Sequence, residues 1–201
     1  MLSSLAMAAP ESSQLGPYSV SFDMNTNTPH ELQMMQPIST QSATIYGLQI
    51  FTDNSTKARL TISAYNNQID ATLPIYKQLA AMSLALSGFN TTNIEDMMID
   101  GKSGFLISSQ PFPGNTMVPA GTNLFQALYW LDSVDCPCGP VSVGTTSVDV
   151  TSSYPQDVTQ SLLGSIHVEK GQAASTQVMP PAQMPTQMPT QMPTQQMPTG
   201  Y

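Results

Sequence analysis

Residues 72–88, TLPIYKQLAAMSLALSG, mark the point where the apolar pattern of this chain changes period. Ile75, Leu79, Met82 and Leu86 fall at i, i+4, i+7 and i+11. That spacing places them on one stripe of an α-helix, the stripe that a surface helix normally turns to its core. Thr72 stands where a helix N-cap is expected, Pro74 is tolerated in a first turn, and Gly88 can end the helix. On both sides the period is two rather than 3.6. A helix set among strands points to an α+β domain rather than a helical bundle.

Upstream, GPYSVSFDM (16–24) alternates apolar and polar residues, with Tyr18, Val20 and Phe22 on one side, as in a half-buried strand. NTNTP (25–29) breaks it. SATIYGLQIFT (42–52) and ARLTISAY (58–65) read as an antiparallel hairpin joined by the polar turn DNSTK (53–57). Downstream, NIEDMMIDG (93–101) and KSGFLISSQ (102–110) read as a second hairpin with Gly101-Lys102 at its tight turn. NLFQALYWLD (123–132) reads as a strand packed under the helix, and PVSVGTTSVDV (140–150) as a further strand. YPQDVTQSLLGSIHV (154–168) then places Val158, Leu162 and Ile166 on one helical face. The expected fold is an antiparallel β-sheet flanked by helices, an α/β/α sandwich over residues 17–170.

Composition sets the environment. Only 9% of the 201 residues are charged, against about 25% in an ordinary globular protein, so the surface is wetted by Ser, Thr, Asn and Gln. The 5 basic residues stand against 13 acidic ones, a net charge of -8, which repels nucleic acid and anionic lipid. Residues 1–16 open with MLSSLAMAAPESS, whose short apolar run and Ala6-Met7-Ala8 triplet read as a signal-peptide remnant and linker. Asn54-Ser55-Thr56 and Asn90-Thr91-Thr92 are glycosylation triplets, expected in loops. These cues point to an extracytoplasmic protein, secreted or at the cell surface, without a transmembrane span.

Two stretches carry a family resemblance: IDGKSGFLIS (99–108) and VSVGTTSVDVTSSYPQDVTQSLLGSIHV (141–168). The chain resembles the PsbP/Mog1-like family, in which a Gly-containing hairpin precedes central strands and the last strand leads into a helix ending in an "ll.SI.v" signature. Leu162, Leu163, Ser165, Ile166 and Val168 fit that signature. The resemblance implies a noncatalytic protein that binds partners or helps assemble larger complexes, some of them at membranes.

Catalytic chemistry finds little support in the residue pattern. The chain has two histidines, His30 after Asn-Thr-Pro and His167 in SIHVEK, and both read as surface or satisfied residues. Glu95, Asp96 and Asp100 are candidates for an acid/base set, but strand alternation sends Glu95 and Asp96 to opposite faces and a solvated strand edge explains them. There is no phosphate-cradling glycine loop. In DCPCGP (135–140), Cys136 and Cys138 are separated by one proline. They could form a strained local disulfide, bind a soft metal as thiolates, or stay reduced, with the disulfide favoured in an oxidising compartment.

The chain ends in MPTQMPTQMPTQQMPTGY (184–201). Met179, Met184, Met188, Met192 and Met197 are each followed by Pro, which bars helix and favours an extended chain. Residues 171–201 therefore read as a disordered spacer outside the core. Copper is the alternative, because thioethers are soft ligands, with Cys136, Cys138, Met184, Met188 and Met192 as its candidate ligands. The leading expectation is a noncatalytic domain that binds a protein partner through PFPGNTMVPAGT (111–122) and SVDCPCGP (133–140).

Overall fold

The computed structural model describes residues 10–53, 55–116, 118–119, 121–137 and 139–171. Among these residues the chain forms, in order, strands β1 (Glu11–Leu15), β2 (Tyr18–Phe22), β3 (Glu31–Met34), β4 (Ile38–Ser39), β5 (Ala43–Thr52) and β6 (Ser55–Asp70). Helix α1 (Leu73–Leu86) follows, then β7 (Phe89–Ile99), β8 (Lys102–Pro111), β9 (Leu124–Trp130), β10 (Val134–Asp135) and β11 (Ser142–Ser152). Helix α2 (Gln156–Ser165) and β12 (His167–Lys170) close the fold. It is a sheet-dominated α+β arrangement.

The large sheet runs β3-β5-β6-β11-β9-β8-β7, with β10 pairing β11 and β4 pairing β5, and a smaller sheet runs β1-β2-β12. Every pairing is antiparallel. The β5–β6 register sets Leu48 opposite Leu60 and Tyr46 opposite Ile62. Period-two alternation therefore delivers Leu48, Ile50, Leu60 and Ile62 to one face. On that face they meet Val20 and Phe22 of the small sheet and Leu162, Leu163 and Ile166 of the α2 segment in the main core. Residues of the "ll.SI.v" signature thus serve packing. Ser165 supports the same joint, its hydroxyl accepting the Asp23 N–H at 2.8 Å and donating to the Asp23 carbonyl at 3.0 Å.

The opposite face is covered by α1, which lies over β7 and β8 and encloses Phe105, Ile107, Leu128 and Trp130 with Ala80 and Leu84. Tyr65 stacks on Trp130 at 5.8 Å between centroids, and Tyr76 meets the same indole edge-on at 5.5 Å.

The helix packs by a different stripe from the one its sequence spacing suggests. Ile75, Leu79, Met82 and Leu86 are 44, 50, 59 and 86% exposed, whereas Ala80 and Leu84 are buried and Leu73, Tyr76 and Ala81 pack partly against the core. The helix is apolar on both sides, and the side bearing two alanines allows the closer approach to the sheet. Thr72 sits at the N-cap but forms no side-chain cap. Its hydroxyl instead accepts the Ser142 N–H at 3.3 Å, while Asp70 accepts the Thr72 N–H at 2.8 Å.

The hairpin turn between β7 and β8 is Asp100-Gly101, not Gly101-Lys102. Both turn residues adopt left-handed backbone, φ 52° and 68°, as a two-residue turn of this hand requires, and Lys102 already pairs with Ile99. Residues 11–15, assigned from sequence to the N-terminal linker, form β1. That strand buries only Leu15 among its five residues, so it carries no apolar rhythm to read. Asn90 lies in β7, exposed on a strand rather than in a loop, and Asn54 lies outside the described residues. So do the Ala6-Met7-Ala8 triplet and residues 172–201.

Candidate functional site

A cleft of about 480 Å³ opens where the small sheet meets the β7–β8 turn and the end of β9. Its position follows from topology. Strand β12 pairs with β2, with His167 opposite Ser21 and Lys170 opposite Tyr18, and this brings the last strand of the domain beside the Asp100-Gly101 turn. The Asp100 side chain is only 9% exposed. One of its oxygens accepts from His167 Nδ1 at 2.6 Å and the other from the Val168 N–H at 2.9 Å. The reading of Asp100 as a solvated strand-edge residue is therefore corrected. It is a bridge between the two sheets.

His167 Nε2 meets Glu169 Oε1 at 2.9 Å. A carboxylate accepts, so each contact favours a ring N–H and together they favour the protonated ring. The hydrogen bonds to Asp100 and Glu169 raise the His167 pKa above its ordinary value. His30 is held in the same manner, Nδ1 to the Thr28 carbonyl at 3.1 Å and Nε2 to the Glu11 carboxylate of β1. Partial burial lowers its pKa, but the Thr28 and Glu11 hydrogen bonds outweigh it and the net shift is upward. Each histidine thus ties the small sheet to the large one. Of the other acidic candidates, Asp96 pairs with Lys77 of α1 at 2.5 Å, and Glu95 is exposed on β7.

The remaining cleft wall comes from Asp132 and Thr146. Asp132 Oδ1 accepts the N–H groups of Thr145 at 3.0 Å and Thr146 at 2.9 Å, and its Oδ2 accepts the Thr145 hydroxyl. Tyr18 and Thr146 hydroxyls lie 3.5 Å apart. Leu131 and Val168 supply apolar surface, and Lys102 and Lys170 stand at the exposed rim. Among the described residues neither lysine side chain has a hydrogen-bond or ion-pair partner. The Tyr129 hydroxyl is buried without a partner. Burial first, and the Asp100 charge second, hold its phenol well above the ordinary tyrosine range.

The two loops proposed as contact surfaces sit at opposite ends of β9, so they do not form one surface. Phe112 and Asn115 are pinned to the end of α1, with the Phe112 N–H and the Asn115 side-chain amide both donating to the Gly88 carbonyl. Leu131 and Asp132 lie at the cleft end, and beyond them the Cys136 N–H donates to the Val141 carbonyl at 2.8 Å. Cys136 is disulfide-bonded. Cys138, Met184, Met188 and Met192 lie outside the described residues. Among the described residues no group of three or more His, Cys, Asp or Glu side chains could hold a metal ion, and no helix is long and apolar enough to cross a membrane.

Sequence reasoning missed the cleft because its residues come from positions as distant as 18 and 170. One signal was present: an Asp-Gly dipeptide between two strands marks a tight turn, and the strand that follows begins with Lys102. Comparison with protein families, with curated proteins and with solved structures finds no match to this chain.

Proposed function

We propose that this chain is a noncatalytic, extracytoplasmic binding domain of PsbP/Mog1-like architecture. It engages a protein partner at the end of the sheet where the cleft adjoins the Cys136 loop. The observation that carries this reading is how the two histidines are held: both ring nitrogens of each are engaged, those of His30 by Thr28 and Glu11 and those of His167 by Asp100 and Glu169. With both nitrogens engaged, neither ring is left open to activate a nucleophile. Each serves instead as a cross-link between the two sheets, with His167 in the wall of the cleft.

The disulfide at Cys136 supports an oxidising compartment, and the low content of charged residues agrees with it. The order of elements, with the last long strand leading into α2 and its "ll.SI.v" residues in the core, supports the family reading. Capture from the native extracellular fraction tests the function. The full chain is expected to recover a specific partner whose binding is reproduced with purified components. Replacing residues 133–140 by a Gly/Ser linker should abolish that binding, and deleting residues 179–201 should preserve it. Partner binding that survives the replacement refutes the assignment of the surface.

A further inference from the structure

We propose that the cleft is a carboxylate-binding site, taking a ligand with one carboxylate on an apolar body. The inference rests on the binding-domain reading above and names the chemistry of its site. The argument is one of supply and demand among polar groups. Both acidic residues in the lining are already engaged by donors of the protein on each of their oxygens: Asp100 accepts from His167 and Val168, and Asp132 accepts from Thr145 and Thr146. What faces the opening without a partner is donor chemistry, the ammonium groups of Lys102 and Lys170. An incoming ligand must therefore bring acceptors.

Charge agrees. The chain has only 5 Lys and Arg residues and a net charge of -8, yet two of those five line this one cleft. His167 is held between Asp100 and Glu169, so the uncommitted charges at the cleft are those of Lys102 and Lys170. Lys77 is committed to Asp96. Lys57 and Arg59 flank a hollow of about 120 Å³, smaller than a typical ligand site. The cleft thus gathers two uncommitted cations on an acidic protein, and Leu131, Val168 and the Tyr18 ring give it apolar walls.

Two point cations suit a single carboxylate better than a phosphate, which is bound by several convergent donors. The volume of about 480 Å³ accommodates either an aliphatic acid or the free C-terminus of a peptide ending in an apolar residue. The shared chemistry is the carboxylate next to apolar surface.

Titration of the isotopically labelled full chain, followed by amide NMR shifts, tests this with octanoate, octanamide, N-acetyl-Gly-Gly-Leu and its C-terminal amide. At least one carboxylate probe is expected to shift the amides of Lys102, Thr146 and Val168. Its amide counterpart should bind at least about tenfold more weakly, the usual loss for a missing charge-assisted hydrogen bond. Tighter octanoate identifies the aliphatic source and a tighter tripeptide identifies the peptide source. The double variant Lys102→Gln, Lys170→Gln alters only exposed side chains and is expected to keep the unbound spectrum elsewhere while losing the carboxylate preference. Equal binding of acid and amide, no shifts at the cleft, or an unchanged preference in the double variant overturns the site. Partner capture that persists while these probes fail overturns only the ligand chemistry, and carboxylate binding without any partner overturns only the protein-binding reading.

Discussion

Helix α1 offers a direct test of which of its two apolar sides holds the fold. Leu84 is 5% exposed and packs against the Phe105, Ile107 and Trp130 cluster. Truncating it to alanine removes three carbons, worth roughly 0.8 kcal/mol each when buried, and leaves a cavity beside close-packed aromatics, so the expected loss is about 3 kcal/mol. Leu79, one turn earlier on the other side, is 50% exposed. It leaves no enclosed cavity and regains a little helix propensity, so Leu79→Ala should cost about 0.5–1 kcal/mol, and Leu86→Ala, at 86% exposure, close to nothing. Urea unfolding separates the two: at a slope of about 2 kcal/mol per molar, the midpoint should fall by roughly 1.5 M for Leu84→Ala and by less than about 0.5 M for Leu79→Ala. Equal losses at Leu79 and Leu84, or a larger loss at Leu79, would mean the helix packs by the stripe described here as solvent-facing.

Other consequences are as direct. Tyr129→Phe removes a buried hydroxyl without a partner and should stabilise the domain by about 1–2 kcal/mol in the same assay; a destabilised variant would show that the hydroxyl is hydrogen-bonded. Gly104→Ala would place a Cβ 2.6 Å from the Leu128 carbonyl oxygen, an overpacking that should cost about 1–3 kcal/mol, and an unchanged unfolding midpoint would contradict the β8–β9 register. Stability should also fall as pH rises, first from 3.8 to about 6 through Asp149 and then above 6.5 through His30 and His167, because the folded state holds its protons more tightly at three places. The contributions of His30 and His167 are complete below the unfolded value of 6.5 and are lost as pH rises through their higher folded values. Burial pushes Asp149 up to about 6, with Gln126 and Arg59 offsetting part of the effect, so the cost of its charge is absent below 3.8 and fully felt above 6. A melting temperature that climbs over this range would refute the sign.

The hairpins, both helices and the strand under α1 could be read from the sequence because each is a local rhythm. Tyr18, Val20 and Phe22 alternate, and all three are buried; Leu162 and Ile166 recur one turn apart, and both enter the core. The failures have a common cause. A helix apolar on two sides does not declare which one packs, so the larger residues of α1 drew the assignment away from Ala80 and Leu84. Strand β1 is polar and held by backbone pairing, which leaves no trace in hydropathy. The cleft depends on Asp100 and His167 meeting across 67 residues of chain, and no periodicity encodes such a meeting.

The small sheet sets an order on how the molecule is made. Its middle strand, β2, has β1 on one side and β12 on the other, and the Gly171 N–H donates to the Pro17 carbonyl at 2.7 Å. A strand synthesised near the start must wait for one synthesised about 145 residues later, so the main core stays unroofed on that side while translation proceeds. Closure of such a long loop is a slow, entropically costly step.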